Sequence, residues 1–183
     1  MSLLPAAVVG YLVGALSPAS LVARAHGIDL RSVGSGNPGA ANAGRVLGRR
    51  TGVVVALLDV AKGALPAAGF ATLDHEAGLV AGVAAVLGHV SSPFLRGRGG
   101  KGVATAAGAI LGSHPLWTLP VLLTWIVVLA LSRWIALASV SAALTVLVVA
   151  LLVPQDIAWA AALALIVVVR HQGNLARRLR PQP

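Results

Sequence analysis

Long apolar stretches separated by short polar segments make up most of the chain. Five of these stretches contain 17 to 21 residues, enough to cross a bilayer at about 20 residues per helix. Val103–Gly112 and Ile157–Val169 are shorter apolar stretches. The pattern predicts an all-α integral membrane protein with seven transmembrane helices, one of them short. The five long stretches are Leu3–Ala23, Val53–Leu73, Ala77–Leu95, Leu116–Ser132 and Trp134–Val153.

Composition excludes several other classes of protein. Apolar residues make up 57% of the chain and charged residues 10%, whereas soluble domains average about 45–50% and 25%. The 183 residues contain no cysteine, which excludes disulfides, thiolate catalysis and cysteine-ligated zinc. A chain of this length predicts one domain over residues 1–183.

The positions of the basic residues predict the orientation in the membrane. If all seven apolar segments cross, thirteen of the fourteen Lys and Arg residues fall on one side. Cytoplasmic loops collect basic residues, so we expect the N-terminus outside and the C-terminus in the cytoplasm. If Val103–Gly112 did not cross, Arg133 and the basic tail from Arg170 to Arg180 would lie outside, against that rule.

The net charge of +9 has two interpretations, a nucleic-acid partner or a membrane orientation signal. The basic residues are spread over several predicted loops, and most of the seven aromatic residues lie in the predicted spans. Grooves that bind single strands add stacking aromatics to their basic residues. We therefore expect membrane lipids rather than nucleic acid as partners.

Three polar segments on the predicted cytoplasmic face carry candidate chemistry. They cover residues 33–45, 97–105 and 170–177. The first contains G-x-G-x-x-G, but a predicted membrane helix precedes it where a dinucleotide fingerprint needs a strand. The second lacks the spacing of a Walker A loop. Neither segment is expected to bind a nucleotide.

Both glycine-rich segments nevertheless have the composition of an anion site. Glycines let backbone N–H groups converge on an anion, and a helix N-terminus adds partial positive charge. Two such segments on one face predict two phosphate-binding sites, with tight turns as the alternative interpretation. The candidate residues are Gly34, Ser35, Gly36, Asn37, Asn42 and Arg45 in the first segment, and Gly99, Gly100, Lys101, Gly102 and Thr105 in the second.

Other ionisable residues lie in or near the predicted spans. Asp59 and Lys62 are costly inside a membrane, and a spacing of three residues allows them to pair with each other. His89 is equally consistent with packing and with function, and His171 and Asn174 share a helix face. The few acidic residues predict no metal site and no metal-dependent chemistry.

Five motifs together resemble the bacterial acyl-phosphate:glycerol-3-phosphate acyltransferases, the PlsY family. The resemblance spans nearly the whole chain, and the joint pattern is more specific than any one motif. The motifs are GSGNPGAAN over Gly34–Asn42, LDVAKG over Leu58–Gly63, GH at Gly88–His89, GGKGVAT over Gly99–Thr105 and RHQGN over Arg170–Asn174.

The resemblance implies a seven-helix enzyme of the bacterial plasma membrane with its active face in the cytoplasm. Such an enzyme moves a fatty acyl group from acyl phosphate to the 1-hydroxyl of glycerol 3-phosphate, giving lysophosphatidic acid. We expect the protein to use no cofactor and to be a monomer. Lys101, Thr105 and their glycines would hold one phosphate; Ser35, Asn37, Asn42 and Arg45 would orient the other.

The resemblance gives the remaining candidates catalytic or binding roles. His171, oriented by Asn174, is the candidate general base, although a substrate phosphate could take the proton instead. Ser35 and Lys101 are further catalytic candidates, and Lys62 and His89 are substrate-binding candidates.

The chain departs from the family pattern at two places. The family has Thr where this chain has Ala41, and its third motif continues to a Glu that the segment after Arg177 lacks. If that Glu is needed for chemistry, the resemblance implies a divergent member that is slow or altered in specificity.

The alternative function is a membrane transporter of an anion or lipid phosphate, which also uses short helices with N-termini directed at an anion. The absence of a visible inverted repeat and the position of the polar segments on one face favour the enzyme.

Overall fold

The computed structural model describes the backbone of residues 3–179 and the side chains of residues 3–178. Over this range the regular structure is entirely helical. The helices are α1 (Leu4–Ala15), α2 (Pro18–Ala25), α3 (Ala40–Leu47), α4 (Arg49–Ala71), α5 (His75–Val90), α6 (Val103–Ser113), α7 (Pro115–Ser132), α8 (Ile135–Ala150) and α9 (Ile157–Leu179). Short 3-10 turns lie at Pro93–Leu95 and Pro154–Asp156.

The helices confirm the all-α membrane class predicted from the sequence. Within residues 3–179, five helical stretches are long and apolar enough to cross a membrane, and two apolar helices, α6 and α8, are shorter. Seven crossings and the orientation of the termini stay predictions. The five stretches are Leu4–Ala25, Arg49–Ala71, His75–Leu95, Pro115–Ser132 and Pro154–Arg178.

The described residues form two compact units, one ending at Ser113 and the other beginning at His114. The single domain expected over residues 1–183 stays a prediction. In the second unit, α8 packs against both α7 and α9. His114 lies 3.1 Å from the Asp156 carboxylate and stacks on Trp117.

The predicted span over Leu3–Ala23 corresponds to the candidate span Leu4–Ala25, but the structure divides it into α1 and α2. Pro18 has no N–H to donate, and its ring disfavours helical backbone at the preceding residue. Ser17 is accordingly extended, and its hydroxyl accepts a hydrogen bond from the Ser20 amide. We call Leu16 and Ser17 the helix break.

Close contacts between glycines and neighbouring backbones fix the helix directions in the first unit. Gly10 and Gly14 lie against Ala81 and Ala85 of α5, so α1 and α5 run parallel. On α6, Gly108 lies against Val60 of α4, and Gly112 lies against Ala64, one turn further along α4. These two helices are therefore also parallel. The tight turn between α4 and α5 makes that pair antiparallel.

Replacing Gly108 with alanine tests the close packing of α4 and α6. The new Cβ would overlap the Val60 carbonyl oxygen, and overpacking of this kind costs about 1–3 kcal/mol. We expect Gly108→Ala to lower the midpoint of thermal unfolding in detergent. Gly69→Ala is the matched control, because nothing lies within 4 Å of its added Cβ. Equal midpoints for the two variants would contradict the packing.

Candidate active site

A small apolar core positions the first polar segment beside α4. Leu30, which precedes the segment, is buried with Ala43 of α3 and Val55 of α4. Gly44 and Gly52 bring the backbones of α3 and α4 close together. The segment is therefore anchored at both ends. Its middle, including Ser35, is exposed.

Asn42 holds this segment in shape. Its side-chain amide donates to the carbonyls of Leu30 and Val33, and its Oδ1 accepts from the Ser35 amide at 2.8 Å. Only 1% of the residue is exposed. Gly34 has φ +61, and a Cβ there would overlap Asn42 Oδ1. Asn42 therefore orders the backbone around Ser35 and is not an open donor for substrate.

An exposed ion pair lies in the turn just before the same segment. The Asp29 carboxylate accepts from the backbone amide and the guanidinium of Arg31, the closest contact being 2.7 Å. These hydrogen bonds lower the pKa of Asp29 to about 2. Because the pKa is lowered, the pair favours the folded segment above about pH 4, and its contribution is lost as pH falls toward 2.

The remaining candidates of the first segment have different surroundings. Arg45 is exposed on α3, and its guanidinium lies 3.5 Å from Asn42 Oδ1. Asn37 is half-buried and Gly36 is exposed. Ser35 and Arg45 thus leave polar groups accessible in a segment whose backbone is fixed.

The second polar segment folds back onto the end of α5. The Gly99 amide donates to the Val90 carbonyl at 3.2 Å, and the Gly100 amide donates to the His89 carbonyl at 3.1 Å. These two amides are therefore engaged with α5, contrary to the expectation that they point at an anion. The amides of the first turn of α6 have no acceptor within the helix. They are the better candidates for anion binding, with Lys101 two residues before the helix begins.

Thr105 lies in that first turn and is fully buried. Its backbone carbonyl lies against Gly63 of α4. Gly102 is buried with φ +82 beside Val86 and Val90. Both residues fix the start of α6 against its neighbours, and Lys101 is half-buried at the edge.

A buried polar cluster lies beside the helix break and consists of Asp59, Lys62, His89 and Ser92. Lys62 Nζ lies 2.8 Å from Asp59 Oδ1 and donates to the Leu16 carbonyl at 2.6 Å. His89 Nδ1 lies 3.5 Å from the same Asp59 oxygen. Each of these residues is less than a tenth exposed. Lys62 and His89, predicted as substrate-binding, are thus engaged inside the first unit.

Ser92 is a member of this cluster that the sequence analysis missed. Its hydroxyl donates to the Ala15 carbonyl at 2.6 Å. Pro18 in an apolar stretch was the available signal, because it indicates a helix interruption that leaves carbonyls in need of donors.

The third polar segment continues α9 and is not a loop. His171 is 2% exposed, and its Nδ1 lies 2.8 Å from the Val167 carbonyl one turn earlier. A carbonyl oxygen can only accept, so Nδ1 carries the proton and a neutral ring keeps its lone pair on Nε2. Asn174 is half-buried one turn further along the helix. Residues 180–183, where the family's Glu was missing, lie outside the described residues.

Comparisons with known proteins agree in assigning the chain to one family. A family model described as glycerol-3-phosphate acyltransferase matches residues 4–181. A glycerol-3-phosphate acyltransferase of Geobacter sulfurreducens is 42% identical over 94% of this chain and 91% of its own length. One from Geobacillus kaustophilus is 39% identical over 93% of this chain and 89% of its own.

Two solved structures of PlsY (YgiH), an integral membrane glycerol 3-phosphate acyltransferase, share the fold. Its glycerol 3-phosphate form has a TM-score of 0.92 and 34% identity, covering 98% of this chain and 92% of that one. Its lysophosphatidic acid form has a TM-score of 0.90 and 32% identity with the same coverage. This chain therefore belongs to the glycerol-3-phosphate acyltransferase family.

Proposed function

We propose that this protein transfers a fatty acyl group from acyl phosphate to the 1-hydroxyl of glycerol 3-phosphate. The products are lysophosphatidic acid and inorganic phosphate. The observation that carries the proposal is the match over 98% of the chain to a protein solved in a glycerol 3-phosphate form and a lysophosphatidic acid form.

The proposed reaction is a direct transfer. The 1-hydroxyl oxygen attacks the acyl carbonyl carbon, the bond between that carbon and the phosphate oxygen breaks, and phosphate leaves. An acyl phosphate is an activated anhydride, so no covalent acyl-enzyme is required, in keeping with a chain without cysteine. We propose that His171 Nε2 takes the hydroxyl proton and that Asn174 orients the ring.

The two glycine-rich segments would bind the phosphate groups. Lys101 and the first-turn amides of α6 would hold one phosphate through charge and helix-end hydrogen bonds. Ser35, Asn37 and Arg45 would orient the other and stabilise developing charge. The buried positions of Asn42, Gly99, Gly100 and Thr105 support a role in shaping these segments.

Purified protein with palmitoyl phosphate and glycerol 3-phosphate tests the proposed function. We expect release of inorganic phosphate and formation of lysophosphatidic acid. Each product should appear only when the two substrates are present together. Omitting each substrate in turn is the control. Anion flux into liposomes without product formation at any acyl-chain length would contradict the enzyme assignment and support a transporter.

We also propose that the protein crosses the bacterial plasma membrane seven times as a monomer with its active face in the cytoplasm. The parallel course of α4 and α6 in the first unit supports a crossing by the short helix. At 1.5 Å per residue α6 is only about 16 Å long. It would cross within a region lined by its protein neighbours.

Thiol labelling tests this topology in a background that contains no cysteine. Ser35→Cys and Thr72→Cys both place the thiol at an exposed position. In intact cells we expect an impermeant maleimide to label only Thr72→Cys. Opening the cells should allow labelling of Ser35→Cys as the matched control. Labelling of both positions from outside would contradict the proposed topology.

A further inference from the structure

The helix break leaves backbone carbonyls at the end of α1 without partners in their own helix. Two side chains from other elements supply donors: Lys62 to the Leu16 carbonyl and Ser92 to the Ala15 carbonyl, both at 2.6 Å. The positive charge of Lys62 lies at the C-terminal end of α1, where the helix dipole favours a cation. The break is therefore held by specific polar contacts from α4 and from the segment after α5.

Stability alone does not account for the charges in this cluster. Asp59 is 3% and Lys62 6% exposed, and burying two charges costs about as much as their attraction returns. An apolar pair of similar volume would pack α4 equally well, and the neutral Ser92 hydroxyl shows that a carbonyl at the break needs no charged donor. Ionisable residues at such depth in a membrane segment indicate a functional requirement.

The same cluster also contacts the second polar segment. Asp59 Oδ1 lies 3.5 Å from His89 Nδ1, and a Cβ at Gly100 would overlap the other side of the His89 ring. The backbone of His89 accepts the Gly100 amide. A continuous series of contacts thus joins the helix break, the ion pair, His89 and the glycines that precede α6.

We propose that Lys62 and Asp59 are positioning residues, which fix the helix break and, through His89, set the position of the Gly99–Gly102 segment. In this role Lys62 acts on the break and on Asp59 rather than on the substrate. The proposal rests on the proposed acyltransferase function, because its consequence is the correct placement of the phosphate-binding amides and Lys101.

Kinetics of Lys62 variants test this role. One of the two substrates binds its phosphate at the start of α6. In Lys62→Met we expect the KM of that substrate to rise about tenfold. The KM of the other substrate and kcat should change less than about twofold. Lys62→Arg keeps the charge and the donors, and should recover most of the loss. Arg50→Met is the matched control, an exposed basic residue on the same helix.

Two further variants separate positioning from folding. In Asp59→Asn/Lys62→Met both charges are removed together and no unpaired buried charge is left, so we expect higher thermal stability than in Lys62→Met but the same raised KM. Ser92→Ala weakens the helix break without any change of charge, and should raise the same KM to a smaller extent. If the double variant kept the wild-type KM for both substrates, the proposal would be overturned. It would also be overturned if Lys62→Arg were as impaired as Lys62→Met.

Hydrogen exchange gives a readout that does not depend on turnover. We expect faster amide exchange over residues 97–102 in Lys62→Met than in wild-type protein or Arg50→Met. Unchanged exchange there would overturn the positioning role, whatever the activity. If wild-type protein made no product while exchange still responded to Lys62→Met, the proposed function would fail and the positioning role would stand.

Discussion

Replacing His171 with alanine is expected to lower kcat by about 10²- to 10⁴-fold, the usual contribution of a general base. The Nδ1 hydrogen bond to the Val167 carbonyl fixes the proton on that nitrogen. Nε2 of a neutral ring is then an acceptor with a fixed direction, as proton abstraction requires. Initial rates with palmitoyl phosphate and saturating glycerol 3-phosphate measure the effect.

His26 offers a matched control for this variant. Its Nδ1 lies 2.9 Å from the carbonyl of Val22, also four residues earlier, but the residue is exposed. We expect His26→Ala to retain wild-type kcat. Undiminished turnover in His171→Ala would remove His171 from the mechanism.

His171→Gln separates the two roles left open for this residue. Glutamine can donate a hydrogen bond to a phosphate but cannot accept and carry a proton at neutral pH. We expect it to be about as inactive as alanine. Retention of most activity would instead assign His171 as a phosphate donor, with a substrate phosphate as the base.

Hydropathy predicted the apolar helices well because burial in lipid and burial in protein select the same residues. It failed where local backbone chemistry interrupts an apolar stretch. Pro18 divides Leu3–Ala23, because a prolyl ring stops a helix whatever the hydrophobicity of its neighbours. The eight-residue α3 was also missed, since such a short helix depends on packing against α4 rather than on its own propensity.

The candidate site was predictable as a set of residue types but not as a set of contacts. Ser35, Lys101 and His171 were identified from composition and motif. From the sequence alone, Asn42 cannot be told from an asparagine that donates to a substrate. In the structure its side-chain amide donates to the carbonyls of Leu30 and Val33. Which polar groups stabilise the fold and which remain for substrate depends on tertiary partners that spacing along the chain does not reveal.

The contact between Gly100 and His89 leads to the second large effect. In Gly100→Ala the added Cβ would overlap Nε2 of the His89 ring, so either the ring or the segment must move. Asp59 Oδ1 lies 3.5 Å from Nδ1 of the same ring, and displacement of the segment would misplace Lys101 and the first-turn amides of α6. Overpacking of about 1–3 kcal/mol corresponds to a loss of about 5- to 150-fold in kcat/KM.

A double-mutant cycle with His89→Ala identifies the cause of this loss. Removing the ring should lower activity by itself, yet it opens the space that the new Cβ needs. We therefore expect Gly100→Ala/His89→Ala to be more active than Gly100→Ala alone, which independent effects could not produce. Gly69→Ala, whose added Cβ meets nothing within 4 Å, should keep wild-type kcat/KM. If the loss of kcat/KM in the double variant equalled the product of the two single losses, the effect of Gly100→Ala would come from the backbone of Gly100 and not from its contact with His89.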